Sequence, residues 1–294
     1  MTQRSTGLVF LLICALGWGS NWPVVKVLLA EMPPMATRGW AGLAAASCFA
    51  LGARAFGISL NVPRAQRPRL VLYSILNVAS WMGFVTFALL WLKASEGVIL
   101  GSTAPVIAVL LAWLILGERP GWPRLLGLAL AVGSIAVLFA GRGAEFSLEK
   151  LPGLGLMLCA TTLFALATVL AKRRPLSLHP VAVTTWQLAI GMTPLLLYSI
   201  LFEEVAWSAL DMRAWVFLGW MAAVPLGLAY LGWFGALQRL PATTCTMGTL
   251  LVPVVGVLGG ALVLDEPLGW REAVALLGTI GGVALALRAG EKRA

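Results

Sequence analysis

Ten stretches of this chain carry no Asp, Glu, Lys or Arg: 5–25, 39–53, 70–92, 97–117, 125–141, 151–171, 180–202, 214–238, 240–264 and 273–287. A bilayer core about 30 Å thick needs about 20 apolar residues per helix, and arginines at the ends of the shorter stretches can snorkel to the interface. All ten are therefore expected to span. The chain is 60% hydrophobic and 11% charged, so ten buried soluble helices would leave nothing for a polar surface. Outer-membrane barrels are excluded too, because their strands alternate polar and apolar residues over about 10 positions. The expected fold is an all-α integral membrane protein of ten transmembrane helices.

A net charge of +9 could suggest an acidic partner, but the position of the charges argues for a membrane. With the N-terminus in the cytoplasm, 14 of the 21 Lys and Arg fall inside, with clusters at Arg64, Arg67 and Arg69 and at Lys172 to Arg174. Lys26, Arg38, Lys93, Arg142, Lys150, Arg213 and Arg271 fall outside, and so do 10 of the 12 Asp and Glu. The positive-inside rule then puts both termini in the cytoplasm. Cys14, Cys48, Cys159 and Cys245 all lie in apolar stretches with no CxxC pair, and read as small core residues. The first apolar run is too long for a signal peptide and has no small-residue cleavage site, so it is expected to be a retained span.

The chain also repeats itself. "LGERPGW" at Leu116–Trp122 recurs as "LDEPLGW" at Leu264–Trp270, and the same spacing of 148 residues pairs Pro105 with Pro253, Leu92 with Leu240, Ala94 with Ala242 and Gly133 with Gly281. A spacing of 146 pairs Lys26 with Lys172 and Trp40 with Trp186. The halves, 1–145 and 146–294, are each expected to hold five spans. Five is odd, so the second copy would enter the membrane inverted, as in many secondary transporters.

Ten spans in two halves, "WGSNW" in the first span, and "LGERPGW" and "LDEPLGW" closing the fourth and ninth resemble the drug/metabolite transporter superfamily, EamA type. Within it the chain looks most like the YddG-type exporters of aromatic amino acids. The resemblance implies a carrier of the bacterial inner membrane, without cofactor, that exports amino acids or related metabolites. Its central cavity would lie between the halves, lined by the first four helices of each.

Polar groups at membrane depth are costly and default to functional hypotheses. The candidates for substrate binding are Trp18, Asn21, Trp22 and Lys26 in the first span and Tyr73, Asn77 and Trp81 in the third. Trp186 and Gln187 in the seventh and Tyr230 and Trp233 in the eighth complete the set. Tyr73, Asn77 and Trp81 are spaced by four, which places a phenol, an amide and an indole on one helical stripe. Two readings stay open for the amides and for Thr161 and Thr162: lining a cavity, or bonding between helices at about 0.6 kcal/mol each. Trp91, Trp113, Trp122, Trp207, Trp215 and Trp270 lie near span ends and read as an interfacial belt. Lys26 is either a snorkelling anchor or a partner for a substrate carboxylate. Pro105 and Pro253 each remove a backbone donor and are candidate gating kinks. Glu118 and Glu266 sit in mirrored loops, where capping or gate-loop contacts are expected.

In "GWGSNWPVVK", Gly17–Lys26, the two glycines are expected to let a partner helix or a ligand approach. At the spacing that keeps Lys26 on Lys172, its counterpart is "LFALATVLAK", where Asn21 becomes Ala167 and Pro23 becomes Val169. The polar chemistry is therefore in one half only, which favours recognition over scaffold.

No Asp, Glu or His falls mid-span, the one histidine is His179 in a loop, and HExxH and P-loop signatures are missing. An enzyme is not expected, nor a metal, nor a nucleic-acid partner, and transport is expected to be facilitated or exchange-like. A channel lacks its polar half-helix motifs. The runner-up is efflux of hydrophobic cations or drugs, which calls for a midplane carboxylate.

Overall fold

In the computed structural model, residues 3–117, 121–139, 143–240, 245 and 248–291 are described, and every regular element among them is helical. The order is α1 (Gln3–Leu28), α2 (Pro34–Ala55), α3 (Arg67–Tyr73), α4 (Ser80–Ala88), α5 (Ala94–Gly101), α6 (Ala104–Leu116) and α7 (Trp122–Phe139). Then follow α8 (Gly143–Arg173), α9 (Pro180–Phe202), α10 (Met212–Ala223), α11 (Ala229–Leu237), α12 (Leu251–Leu264) and α13 (Trp270–Glu291). Six stretches are long and apolar enough to cross a membrane: Gln3–Leu28, Arg64–Ala88, Ala94–Leu116, Leu148–Arg173, Pro180–Phe202 and Met212–Ala236. The 22-residue α2 is not among them: it is rich in Ala and Gly and carries Arg38 and Arg54 inside the helix. Leu251–Leu264 and Leu125–Ser134 are apolar but shorter.

Three of the long stretches are interrupted. Between α3 and α4, Ser74–Ala79 widens into a π turn, and the Ser80 amide reaches back five residues to the Ile75 carbonyl. Between α10 and α11, Val224–Leu228 does the same, with the Ala229 amide on the Val224 carbonyl. Pro225 supplies part of the cause there, since it has no N–H for an α-helical bond; the first π turn has no proline. The third interruption is the turn at Ser102–Thr103, after which Pro105 sits in the first turn of α6, where its missing donor costs nothing. A matching turn precedes α12, which restarts with Pro253 in its first turn. These prolines mark where a helix restarts rather than a bend within one.

The repeat motif has a structural counterpart. Gly117 ends α6 at φ 73° and Asp265 ends α12 at φ 53°, both left-handed, and the two positions are paired in the sequence repeat. Glycine is free there and Asp tolerates the conformation better than most residues. Glu118, which follows Gly117, lies outside the described residues, as does Ala242.

α1 packs on α5, α10, α11 and α12. Gly17 and Gly19 make that possible. A Cβ on Gly17 would meet the Ala229 Cβ of α11 at 2.8 Å, and one on Gly19 would collide with the Val255 Cβ of α12. Pro23 packs against Gly259 of α12. The turn at Ser102–Thr103 redirects its span: α5 packs on α12, whereas α6 turns to α8.

One end of the bundle, where α1 and α4 finish, is rich in carboxylates that serve helix starts. Glu203 accepts from the amides of Met35 and Ala36 at 2.9 and 2.8 Å, at the start of α2. Glu96 accepts from Lys93 N at 3.0 Å, and Glu266 from Ala94 N and Ser95 N at 2.7 and 3.0 Å, together serving the start of α5. Asp211 caps α10 through Ala214 N at 2.7 Å. A negative group at the positive end of a helix dipole is favourable, which accounts for the clustering of acids at this end. The expectation that Glu266 acts as a cap is met by these bonds.

Candidate substrate site

Each residue of the stretch from Trp18 to Lys26 that could recognise a ligand is turned to a different neighbour. The Trp18 ring packs edge-on against Tyr230 and tilted against Trp233, with centroids 5.5 and 5.7 Å away on α11. Ser20 donates to Gly17 O at 3.0 Å and lies 3.4 Å from the Trp220 indole nitrogen. Asn21 Oδ1 accepts from Arg38 Nη1 of α2 at 3.1 Å. The Trp22 ring stands edge-on to Trp81 of α4, 6.4 Å away, over Gly97 and Gly101 of α5, where a larger residue would collide with it. Trp81 in turn lies 4.9 Å from the Phe164 ring of α8. Two aromatic groups, Trp18–Tyr230–Trp233 and Trp22–Trp81–Phe164, thus flank Asn21 one helical turn apart on α1. Edge-on and tilted aromatic pairs of this kind are favourable beyond the area they bury.

Other candidates are placed differently. Asn77, in the first π turn, donates through Nδ2 to Gln187 Oε1 of α9 at 3.0 Å, so the two amides hold each other. The π turn also alters the stripe on which Tyr73, Asn77 and Trp81 were aligned, because a wider turn advances the register. Tyr73 is buried at the other end of the bundle, its hydroxyl between the carbonyls of Leu170 and Arg174 at 3.0 and 2.9 Å. Trp186 is exposed near that same end, its indole donating to Leu60 O at 2.8 Å. Lys26 donates to Leu89 O and, at 2.9 Å, to Leu92 O, closing the carboxyl end of α4. The ammonium is thus bonded to main-chain carbonyls. A cleft of about 490 Å³ lined by Asn61, Ser177 and His179 also lies at the Tyr73 end, away from the aromatic groups.

The residue that sequence reasoning missed is Arg38. It is 1% exposed, deep against α1 and α4, with Nε on Thr86 Oγ1 at 2.7 Å. A signal was present: the stretch 39–53 is too short to span by itself, so one of its flanking arginines had to lie inside the helix.

Residues 5–140 and 151–288 each match the model of the EamA-like transporter family. The chain belongs to that family.

Its relatives agree in kind. An uncharacterized transporter of Bacillus subtilis, YvbV, is 26% identical, the match covering 97% of this chain and 91% of the relative. The protein named "Probable amino-acid metabolite efflux pump" in Escherichia coli is 27% identical, with 90% and 89% covered. Uncharacterized protein PA1977 of Pseudomonas aeruginosa is 34% identical over 69% of this chain and 68% of its own. A crystal structure 21% identical superimposes with a TM-score of 0.71, covering 99% of this chain and all of the other, and so shares the fold. This EamA-like transporter is a multi-pass membrane protein, and both its family and its relatives' names point to transport of small molecules rather than to catalysis.

Proposed function

We propose that this EamA-like transporter is an alternating-access carrier that exports amino acids, aromatic or hydrophobic ones foremost, or related metabolites across the bacterial inner membrane. The observation that carries this reading is the arrangement on α1: a polar group at Asn21 flanked on the same helix by two tryptophans, each joined to rings of other helices. An amino acid with a large apolar side chain has the same division into a polar head and an apolar body. The name printed for the Escherichia coli relative supports the class.

In this proposal the chain has ten spans in two inverted five-helix repeats that meet near 145–146, with both termini in the cytoplasm. The paired interruptions, the π turns at Ser74–Ala79 and Val224–Leu228 and the restarts at Pro105 and Pro253, are the flexible points of the two halves. The carboxylate-rich end faces outward. Efflux of hydrophobic cations fits less well, since the buried charge beside Asn21 is itself a cation, Arg38.

The test is uptake of each of the twenty amino acids into proteoliposomes, with Asn77→Ala and Trp81→Ala alongside. Saturable transport of one or more large apolar amino acids, altered in rate or selectivity by Trp81→Ala, is expected. Transport of none of the twenty would overturn the class, and two silent variants would overturn the cavity.

A further inference from the structure

Arg38 is a buried cation without a buried anion. It has no ion-pair partner among the described residues, and three carboxylates at its end of the bundle are committed elsewhere. Glu203 holds the start of α2, Glu266 holds the start of α5, and Glu96 holds Lys150 at 2.6 Å. Burying a charge is expensive unless it is paired and fully hydrogen-bonded, and a guanidinium has five N–H donors to satisfy. Nε places its hydrogen on Thr86 Oγ1 at 2.7 Å, and Nη1 donates to Asn21 Oδ1 at 3.1 Å and faces the weak acceptor Met221 Sδ at 3.8 Å. Nη2 has no acceptor among the described residues.

The surroundings fix the group and add to it. Thr86 donates its own hydroxyl proton to Met82 O at 2.6 Å, so toward Arg38 it acts as an acceptor and pins the guanidinium plane. Asn21 spends its carbonyl on Arg38, and its Nδ2 donors likewise have no partner among the described residues. Asn21 is only half-buried, and so is the neighbouring Trp18. The result is a fixed cluster of donors beside two groups of aromatic rings, lacking one acceptor-rich anion.

We propose that Arg38 and the amide of Asn21 form the receptor for a substrate carboxylate, and that the carrier selects its cargo by that carboxylate and not by an ammonium. This rests on the amino-acid reading above and sharpens it. A carboxylate brings the acceptors that the Nη2 and Nδ2 donors lack, and its bonds to a guanidinium are charge-assisted. An ammonium finds no such reception: among the described residues no carboxylate bonds to Arg38 or Asn21, and a positive group already occupies the site. Acylated amino acids and other apolar carboxylates therefore bind as well as the free amino acid.

The experiment uses the full-length protein and three probes: L-phenylalanine, N-acetyl-L-phenylalanine and L-phenylalanine methyl ester. Binding is read by thermal shift in detergent and by competition for uptake in proteoliposomes. The two carboxylates should bind within a few-fold of each other, and the ester at least about tenfold more weakly, the loss expected when bonds to a charged group are removed. Asn21→Asp separates a receptor from a scaffold, because it gives Arg38 a permanent counter-ion. The unliganded melting temperature should hold or rise while the half-saturation for both carboxylates rises at least about tenfold. Arg38→Lys keeps the charge, loses the planar fork, and should weaken both carboxylates alike. An ester that competes as well as the acid, or Asn21→Asp with unchanged affinity, would overturn the receptor while leaving the amino-acid reading standing. Binding of N-acetyl-phenylalanine without phenylalanine would overturn the amino-acid reading and leave the receptor. A wild-type protein indifferent to all three probes would overturn both.

Discussion

The ammonium of Lys26 donates to the main-chain carbonyl of Leu92 at 2.9 Å, so a side chain of α1 closes the carboxyl end of α4. A cation there satisfies carbonyls that the helix cannot and opposes the negative end of its dipole. Lys26→Met should lower the melting temperature by an amount equivalent to about 1–2 kcal/mol, and Lys26→Arg should recover most of it. Thermal unfolding in one detergent measures both, and a full-stability Lys26→Met would remove the capping role.

Glu266 is buried at the start of α5, 9% exposed, and its Oε2 also accepts from Ser95 Oγ. Glu266→Ala removes the acceptor for two backbone amides at once, which should cost about 2 kcal/mol. Glu203→Ala acts on α2 by the same physics at a separate place, so the two losses should add in the double variant. Clear non-additivity in melting experiments would show that the two caps belong to one coupled gate.

Gly19 touches α12 where a Cβ would have no room against the Val255 Cβ. Gly19→Ala should destabilise by about 1–3 kcal/mol through overpacking, and Val255→Ala in the same chain should restore part of that loss. If the second substitution only worsens the first, α1 and α12 are not in the register described.

The buried carboxylates Glu96, Glu266 and Glu272 each bind a backbone amide at the start of a helix, at 3.0, 2.7 and 3.0 Å, and none stands beside the aromatic groups. With no titratable acid at that depth among the described residues, an imposed pH gradient without a substrate gradient should drive no net uptake into proteoliposomes. Strong uptake under that gradient alone would contradict facilitated or exchange-like transport.

How far the sequence could be read is clearest on α1. That Gly17 and Gly19 admit neighbouring helices was legible because small residues in an apolar run have few other uses, and the capping role of Glu266 followed from its place in a loop. The duplication was legible too, down to Gly117 and Asp265, which share a left-handed conformation. Other features depend on partners distant in the chain. Nothing near Asn77 announces a bond to Gln187, and the stripe it was assigned to assumed an α-helical turn where the backbone is wider. Tyr73 and Trp186 carry polar atoms that suit a ligand equally well, yet those atoms meet carbonyls at the far end of the bundle. Arg38 was counted with the loop charges because its neighbours in sequence are apolar. The shortness of the stretch 39–53 implied that a flanking arginine lies inside the helix, and the packing of α1, α2 and α4 shows Arg38 buried there.

The central claim is that this protein carries its substrate by alternating access, and trans-stimulation tests it most directly. Proteoliposomes preloaded with an unlabelled transported amino acid should take up the same labelled amino acid against its label gradient, transiently and saturably, faster than empty vesicles do. Flux that rises linearly with concentration and is indifferent to preloading would be the behaviour of a pore, and would contradict the account.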